Sequence, residues 1–305
     1  MEELIIDFSW LWNRSHFAFK DLRNSEGQLT GAMYGVLKFH EQIAYKGYKI
    51  VACLDDISAE RKQIYEGYKA TREIDEDRIK AKKCNQSLFE ILSFLGWTFY
   101  KTEGYEADDL IASRACQFAK QGTACTIFSS DKDLQQLLEL PTVKISSSID
   151  KGKFVYKTEK DTIEKLGVKP ELLRYFRPLR GDTSDNIPAA VPRVQTKYLI
   201  PFAEAIKDSL TLGLTLGDAY DRAFTKVESA LTAIAKEKIS AGKEVYIKNF
   251  LIMDLLKWYN LEPICKEPVE FREMNEETMF SLLDRYEMKE FKGSYLDTKA
   301  VRGIF

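Results

Sequence analysis

Three short apolar runs, each followed by an aspartate, constrain the fold of this 305-residue chain more than any other feature. The runs cover residues 4–6, 49–54 and 124–130, and the aspartates are Asp7, Asp55 and Asp131. Apolar runs without polar alternation are typical of strands that are buried on both faces of a parallel sheet. The runs therefore predict the central strands of an α/β fold.

Amphipathic segments complete this expectation. Residues 87–95 and 109–118 have the apolar spacing of helices, and strands that alternate with helices indicate an α/β core with a mostly parallel central sheet flanked by helices. Strand patterns fade after Thr158, where Asp161 three residues later predicts a capping box and Gly167 a helix end. We expect an α/β core at residues 1–160 and a helical region at residues 161–305.

Composition excludes several classes of protein. The chain has 45 Lys and Arg against 47 Asp and Glu, so it is no polycation, although a local basic surface stays compatible with this balance. No run approaches the roughly 18 apolar residues of a membrane span. The sequence near Met1 does not resemble a signal peptide, and we expect a cytoplasmic protein without membrane contact. Five cysteines without a Cys-x-x-Cys pair predict reduced core thiols.

Acidic residues dominate the chemistry that the sequence offers. The carboxyl ends of parallel strands share one edge of a sheet, so Asp7, Asp55 and Asp131 should converge there. Each acid taken alone has a structural alternative, such as capping a helix or a turn. Many acids at one site repel unless cations neutralise them, and oxygen ligands without His or Cys favour Mg²⁺ or Mn²⁺. Two such ions about 3.5–4 Å apart suit hydrolysis of a phosphodiester.

Five segments in one order resemble the 5′-nuclease family of flap endonucleases and 5′→3′ exonucleases. They are residues 4–7, 68–72, 106–109, 130–133 and 181–188, and they span about two-thirds of the chain. The size and the C-terminal part look closest to phage-type members such as the T-even phage ribonuclease H. The resemblance implies a PIN-like nuclease core, a helical arch around residues 66–95 and a helix-hairpin-helix-like DNA-binding motif in the helical region.

The resemblance also assigns metal ligands. The first metal site would comprise Asp7, Asp55, Glu106 and Asp108, with Asp109 shared or adjacent. The second would comprise Asp131, Asp133, Asp182 and Asp185. The resemblance implies two or more Mg²⁺ ions, for which Mn²⁺ would substitute.

Basic residues after the second run are candidates for phosphate and strand contacts. Lys69 and Arg72 are three residues apart, so on a helix they would share a face and grip the scissile phosphate. The family places this pair at the base of the arch, which would carry Arg78, Lys80, Lys82 and Lys83. Tyr68 could stack on a base of any identity. The alternatives are an exposed helical face for the pair and core packing for Tyr68.

The segment after residue 188 departs from the family pattern. Relatives have a glycine-rich hairpin there, which meets a DNA phosphate often through a monovalent cation, whereas this chain has Arg193 and Gln195 and lacks the glycines. This argues against a K⁺ site. We still expect duplex binding, with Arg193 and Lys197 as phosphate contacts, and solvated surface charge is the alternative for both.

The sequence therefore predicts a monomeric, metal-dependent 5′-nuclease that removes primers or flaps during DNA replication. Its substrates would be branched or nicked DNA and RNA–DNA hybrid, cleaved at a 5′ end, nick or flap. The apolar residues 301–305 could dock on a replication partner such as a sliding clamp, and a single-strand-binding protein is another candidate partner. A frayed or packed terminus is the alternative explanation for these residues.

Three other functions fit the sequence less well. A haloacid-dehalogenase phosphatase needs an Asp-x-Asp pair where Asp7 is followed by Phe8 and Ser9. Toprim-type metal-dependent nuclease chemistry would leave Asp7 and residues 106–109 unused. A nucleic-acid-binding protein with a degenerate site would not need every one of these acids.

Overall fold

The computed structural model describes residues 2–71 and 75–302, with backbone alone at residues 301 and 302. These residues form a six-stranded sheet in the order β3-β2-β1-β4-β5-β6. The strands are β1 Glu3–Asp7, β2 Lys49–Cys53, β3 Thr98–Tyr100, β4 Cys125–Phe128, β5 Val143–Asp150 and β6 Lys153–Tyr156. All neighbouring pairs are parallel except β5 with β6. The expected mostly parallel α/β core is confirmed.

The centre of the sheet explains the apolar runs. Leu4, Ile5 and Ile6 of β1 are fully buried, because β2 and β4 flank the strand and helices cover both faces. Leu4 and Ile6 join one apolar cluster, whereas Ile5 points to the opposite face and joins another. A strand enclosed in this way needs apolar side chains on both faces.

Helices surround the sheet and form the second half of the chain. They are α1 Phe8–Ala18, α2 Gly31–Ile43, α3 Ala59–Ile64, α4 Glu76–Ala81, α5 Asn85–Phe94, α6 Ala107–Lys120, α7 Glu159–Leu166, α8 Pro170–Arg180, α9 Thr196–Thr211, α10 Leu216–Val227, α11 Ala233–Ala241, α12 Lys243–Met253, α13 Glu276–Arg285 and α14 Lys289–Arg302. Short 3₁₀ turns occur at Lys82–Cys84, Asp133–Glu139, Thr183–Asp185, Glu228–Ala230 and Leu256–Tyr259.

Two local expectations are corrected. The apolar pattern from Phe250 to Trp258 predicts one buried helix. In the structure α12 ends at Met253, where Asp254 leaves helical geometry and forms an ion pair with Arg174. The sequence Lys-Gly-Ser at residues 292–294 predicts a flexible segment, but these residues lie inside α14. The capping box at Thr158 and the left-handed stop at Gly167 are confirmed.

The helical region packs in two ways. Residues between Val168 and Phe250 form a separate apolar cluster. The later residues return to the sheet: Leu255, Leu256 and Trp258 pack beside α6, and Met279 and Leu283 of α13 join the cluster on the opposite face. The boundary near residue 160 stays a prediction. Residues after 254 pack against the sheet again although they lie beyond this boundary.

Two global expectations concern membranes and cysteines. Among the described helices, none has both the length and the apolar character that crossing a membrane requires. The five cysteines are unpaired, and four of them are buried while Cys265 is half-buried. The prediction of core thiols is therefore confirmed for Cys53, Cys84, Cys116 and Cys125.

Candidate active site

Three adjacent strands bring their aspartates to one edge of the sheet. Asp7 ends β1, Asp55 follows β2 and Asp131 follows β4, and these strands are neighbours. The N-terminus of α6 joins them, because the Ala107 amide donates a hydrogen bond of 2.9 Å to Asp55 Oδ1. This contact places Asp108 beside the strand ends. Asp56 instead accepts from the Gly104 amide and forms an ion pair with Lys101.

The acids line one cleft of about 680 Å³. Its acidic residues are Asp7, Asp55, Asp108, Asp131, Asp133, Asp182 and Asp185. Its cationic residues are Lys69, Arg78, Lys82, Lys101 and Lys132. Seven of the nine acids singled out in the sequence thus meet in one place, and the other two, Glu106 and Asp109, do not line the cleft.

We call Asp7, Asp55, Asp108 and Asp131 the strand-edge group. Burial raises the pKa of Asp7 to about 7, although hydrogen bonds from the Trp10 amide and the Ser129 hydroxyl favour its charged form. Burial and the charges of Asp131 and Asp7 raise the pKa of Asp108 well above its usual value. Burial and the charge of Asp133 also raise the pKa of Asp131. The nearby cationic side chains therefore do not neutralise these three carboxylates.

The donor set fits a hard divalent cation. Its atoms are carboxylate oxygens, which are the ligands that Mg²⁺ and Mn²⁺ prefer. A bound cation would offset the burial and the mutual repulsion that raise the pKa values of Asp7, Asp108 and Asp131. Within the described residues, no three acidic, histidine or cysteine side chains already stand together as a coordination sphere. Binding an ion therefore requires the carboxylates to close around it.

The remaining cleft acids form a second cluster, the loop group, made of Asp133, Asp182 and Asp185. Here positive side chains are already present. Arg177 Nε lies 2.7 Å from Asp133 Oδ1, and its Nη2 lies 2.8 Å from Asp182 Oδ2. Lys132 Nζ lies 2.7 Å from the same Asp182 oxygen. Burial opposes ionisation of Asp182, but hydrogen bonds from Lys132 and Ser184 outweigh it and lower its pKa.

A buried network outside the cleft holds Glu106 and Asp109. Arg61 forms ion pairs with both carboxylates, and the Trp258 indole N–H donates to Asp109. Asp109 also completes a capping box with Glu106 at the start of α6. Both Glu106 oxygens are in use, one by Lys69 Nζ at 2.7 Å and the other by Arg61 and the Tyr68 hydroxyl. To bind a metal ion, Glu106 or Asp109 would have to break hydrogen bonds and ion pairs with these partners.

The turn that carries Tyr68 and Lys69 is hydrogen-bonded to the loop that carries Asp182 and Asp185. The Lys69 amide donates to the Asp185 carbonyl at 2.9 Å, and Asn186 Nδ2 donates to the Gly67 carbonyl at 2.7 Å. Tyr68 is 3% exposed, so the prediction that it stacks on a base is corrected: its ring packs in the core and its hydroxyl binds Glu106.

One glycine makes the loop itself possible. Gly181 has φ of 65°, and a Cβ there would lie 2.5 Å from the Ile187 carbonyl oxygen. Paired backbone hydrogen bonds between Asp182 and Ile187 close the loop at 2.7 and 2.9 Å. A side chain at residue 181 would therefore clash with the backbone of Ile187 and Pro188 and disturb the loop that carries Asp182.

The sequence of the chain matches a known protein family. The family described as "5′-3′ exonuclease, N-terminal resolvase-like domain" matches residues 2–167, which is more than half of the chain. The chain belongs to this 5′–3′ exonuclease family. The expected membership of the 5′-nucleases is therefore confirmed, and with it the expectation of a nuclease.

Several relatives of this nuclease have curated names. It is 36% identical to a "5′-3′ exonuclease" of Buchnera aphidicola over 64% of this chain and 67% of that protein. It is 34% identical to the thermostable DNA polymerase I of Thermus thermophilus over 61% of this chain, but the match spans only 22% of the polymerase. The shared part of the polymerase is thus a small fraction of that protein.

Solved structures show the same fold. A bacteriophage T5 flap endonuclease in complex with DNA and metal ions has a TM-score of 0.60 and 16% identity, over 94% of this chain and 98% of that one. The catalytic core of Rad2 with a DNA substrate has a TM-score of 0.54 and 12% identity, over 97% and 91%. These similarities establish the fold.

The segment predicted as the arch of the nuclease has two parts. Arg78 and Lys82 line the cleft, whereas Lys80 and Lys83 are exposed outside it, with Lys80 near Glu76 and Asp77. Arg72, predicted to be catalytic with Lys69, lies outside the described residues. Leu88, Ile91 and Leu92 anchor one face of α5 in the core, so this helix is packed against the nuclease core and does not project from it.

The glycine-poor hairpin keeps its turn. Arg193 adopts φ of 59°, the left-handed conformation that usually favours glycine. Arg180 stabilises the connection by donating to the Val194 carbonyl at 2.9 Å. Arg193 and Lys197 are exposed, and Lys197 lies in the first turn of α9. The roles predicted for both in phosphate contact are compatible with this placement.

Sequence reasoning missed several side chains of the site. Lys132 stands between two predicted ligands, and its position could have marked it. Arg61 and Arg177 gave no such signal, because their acidic partners, apart from Asp182, lie 44 or more residues away along the chain. Trp10 and Trp12 line the cleft through the first turns of α1.

Proposed function

We propose that this nuclease depends on divalent metal and hydrolyses phosphodiesters at 5′ ends, nicks or flaps of DNA and RNA–DNA hybrid. Its biological role would be the removal of primers or flaps in DNA replication. The named relatives support this proposal, since they include 5′–3′ exonucleases and a DNA polymerase I.

The observation that carries the proposal is the single cleft in which seven aspartates face cationic side chains. The strand-edge group offers oxygen ligands to Mg²⁺, or to Mn²⁺ in its place. Two or more ions remain our prediction for the complete site. When bound, such ions activate water and stabilise the negative charge that develops on the phosphate.

The cationic side chains of the cleft have a separate task. Lys69, Arg78 and Lys82 line the same space as the acids, so a phosphate that approaches the strand-edge group meets them too. Lys69 is held toward the cleft by Glu106, which leaves it oriented before substrate arrives. We propose that Lys69 and Arg72 neutralise the scissile phosphate, and that Arg78, Lys80, Lys82 and Lys83 guide the 5′ strand.

DNA binding outside the cleft would involve exposed basic residues of the helical region. Arg193 and Lys197 would contact duplex phosphates, without the K⁺ ion that glycine-rich hairpins use. The protein would act in the cytoplasm as a monomer, and a sliding clamp or a single-strand-binding protein would be its replication partner. The end of the chain, at residues 303–305, lies outside the described residues.

The decisive experiment removes two acids and keeps the shape of their side chains. We expect the double variant Asp131→Asn, Asp133→Asn to lose cleavage of a 5′-labelled flap, a nicked duplex and an RNA–DNA hybrid in Mg²⁺, while its affinity for duplex DNA stays within about threefold. Product length on each substrate, with EDTA as the metal-free arm, measures the activity.

A matched control separates charge from position. Asp208→Asn with Asp221→Asn also removes two carboxylates, but these are exposed and paired with Lys226 and Lys243 on the helical region. This control should cleave like the wild type. Full activity of the cleft variant would refute the proposal, and intact DNA binding by a wild-type protein that never cleaves would favour a degenerate binding protein.

A further inference from the structure

Arg177 occupies the place between two predicted metal ligands. It lies in the last turn of α8 and is 8% exposed. Its Nε and Nη2 bind Asp133 Oδ1 and Asp182 Oδ2 at 2.7 and 2.8 Å, so one guanidinium bridges the two carboxylates. Arginine stays charged under all ordinary conditions, and its planar donor set matches carboxylates well.

Asp182 is already saturated by its partners. Arg177 and Lys132 share its Oδ2, while the amide and the hydroxyl of Ser184 donate to its Oδ1 at 2.9 and 2.7 Å. A Mg²⁺ ion needs oxygen atoms at roughly 2.0–2.1 Å in near-octahedral order. An ion that reached Asp182 would therefore have to displace cationic partners.

The strand-edge group differs in this respect. Within the described residues, Asp7, Asp108 and Asp131 form no ion pair; Asp7 accepts from the Trp10 amide and the Ser129 hydroxyl, and Asp131 from the Asp133 amide. Neutral donors leave the negative charge in place. A divalent ion can approach this group without breaking an ion pair. An ion at the loop group would instead leave the buried guanidinium of Arg177 without its carboxylate partners, which is strongly unfavourable.

We propose that Arg177, assisted by Lys132, is a built-in counter-charge of the loop group, so that the free protein binds one divalent ion tightly at the strand-edge group. A second ion binds weakly until Arg177 releases Asp133 and Asp182. The inference rests on the proposed metal dependence, and it assigns to Arg177 the role of setting the affinity of the second ion.

Binding of Mn²⁺ tests the inference without any cleavage assay. Titration of the metal-free protein, with free Mn²⁺ followed by electron paramagnetic resonance, should give one tight ion for the wild type. Arg177→Met should bind a second ion at least tenfold more tightly than the wild type does. Arg174→Met is the matched control, because Arg174 lies on the same helix and pairs with Asp254 outside the cleft; it should bind Mn²⁺ like the wild type.

A second variant keeps the test decisive if Arg177→Met does not fold in a thermal melt. Lys132 is more exposed than Arg177, and Lys132→Met should also tighten the second ion, by about threefold or more. Two equally tight ions in the wild type, or an unchanged second affinity in the folded variants, would overturn the role of Arg177. Absence of any Mn²⁺ binding would instead overturn the proposed metal dependence.

Discussion

Asp7 illustrates how a position in the fold determines the chemistry of one side chain. The apolar run before it is enclosed by β2 and β4, so the carboxylate emerges at the sheet edge with little contact to water. Burial raises its pKa to about 7. A residue of this kind is stable as a neutral acid or beside a cation, and near neutral pH the presence of metal decides which.

A pH dependence of stability follows from this pKa. Between the ordinary value of 3.8 and about 7, the folded protein holds more protons on Asp7 than the unfolded chain does. Stability of the metal-free protein therefore falls as pH rises through this window. We expect Asp7→Asn to raise the melting temperature in EDTA at pH 8 relative to the wild type, and to have a smaller effect at pH 5.

Metal should reverse the effect in the wild type, because a cation binds the carboxylate only after the proton leaves. The rise in melting temperature caused by Mg²⁺ should be larger at pH 8 than at pH 6. Differential scanning calorimetry measures both quantities. A Mg²⁺-induced rise that is the same at both pH values would contradict the role given to Asp7.

At the scale of elements, the site depends on the contact between the turn at residues 65–71 and the loop after α8. The amide of Lys69 binds the Asp185 carbonyl, and Asn186 reaches back to the Gly67 carbonyl. Asn186 has φ of 57°, a conformation that asparagine tolerates better than most residues. The loop thus orients Lys69 through hydrogen bonds to the main chain of the turn, one of them donated by the Asn186 side chain.

Substitution of Asn186 should weaken this orientation. Asn186→Gly keeps the left-handed backbone and removes the hydrogen bond to Gly67, so we expect stability within about 1 kcal/mol of the wild type and a kcat lowered about tenfold. Asn186→Ala loses the same bond and adds backbone strain, so it should melt at a lower temperature than the glycine variant. Single-turnover cleavage and thermal melts measure the two effects, and a glycine variant with wild-type kcat would show that the contact does not position Lys69.

Sequence reasoning worked for elements whose causes are local. The helix from Thr158 to Gly167 was predictable because its capping residues lie within ten positions of one another. The strand-edge aspartates were predictable because parallel topology carries them to one edge. The end of α12 was not, because Asp254 pairs with Arg174, which lies 80 residues earlier. The ion pairs of Arg61 with Glu106 and Asp109, and of Arg177 with Asp133, were not predictable for the same reason, because each joins residues at least 44 positions apart.

At the scale of the whole molecule, the helical region adds exposed basic side chains that do not line the acidic cleft. Arg193 and Lys197 are exposed on the connection into α9. The protein has a formal net charge of −2, so attraction to DNA depends on such local features. Each phosphate contact releases counterions and contributes about 0.9 to the slope of log affinity against log salt.

The double variant Arg193→Ala, Lys197→Ala should bind duplex DNA more weakly and with a salt slope reduced by about 1.8. Cleavage of a short single-stranded 5′ end should change much less, because the cleft is untouched. Lys226→Ala with Lys236→Ala is the control, since these lysines are paired with Asp208 and Glu228. Equal salt slopes for the wild type and the hairpin variant would exclude these two residues from the DNA interface.

The central position of β1 has a consequence for how the protein forms on the ribosome. The strand is synthesised before its neighbour β4, which begins at residue 125, and before Met279 and Leu283 of α13, which belong to the same apolar cluster as Leu4 and Ile6. The apolar residues of β1 therefore lack these neighbours while the intervening residues are translated. Nascent chains of this topology expose an aggregation-prone apolar segment for a long time, which makes protection by chaperones during synthesis advantageous.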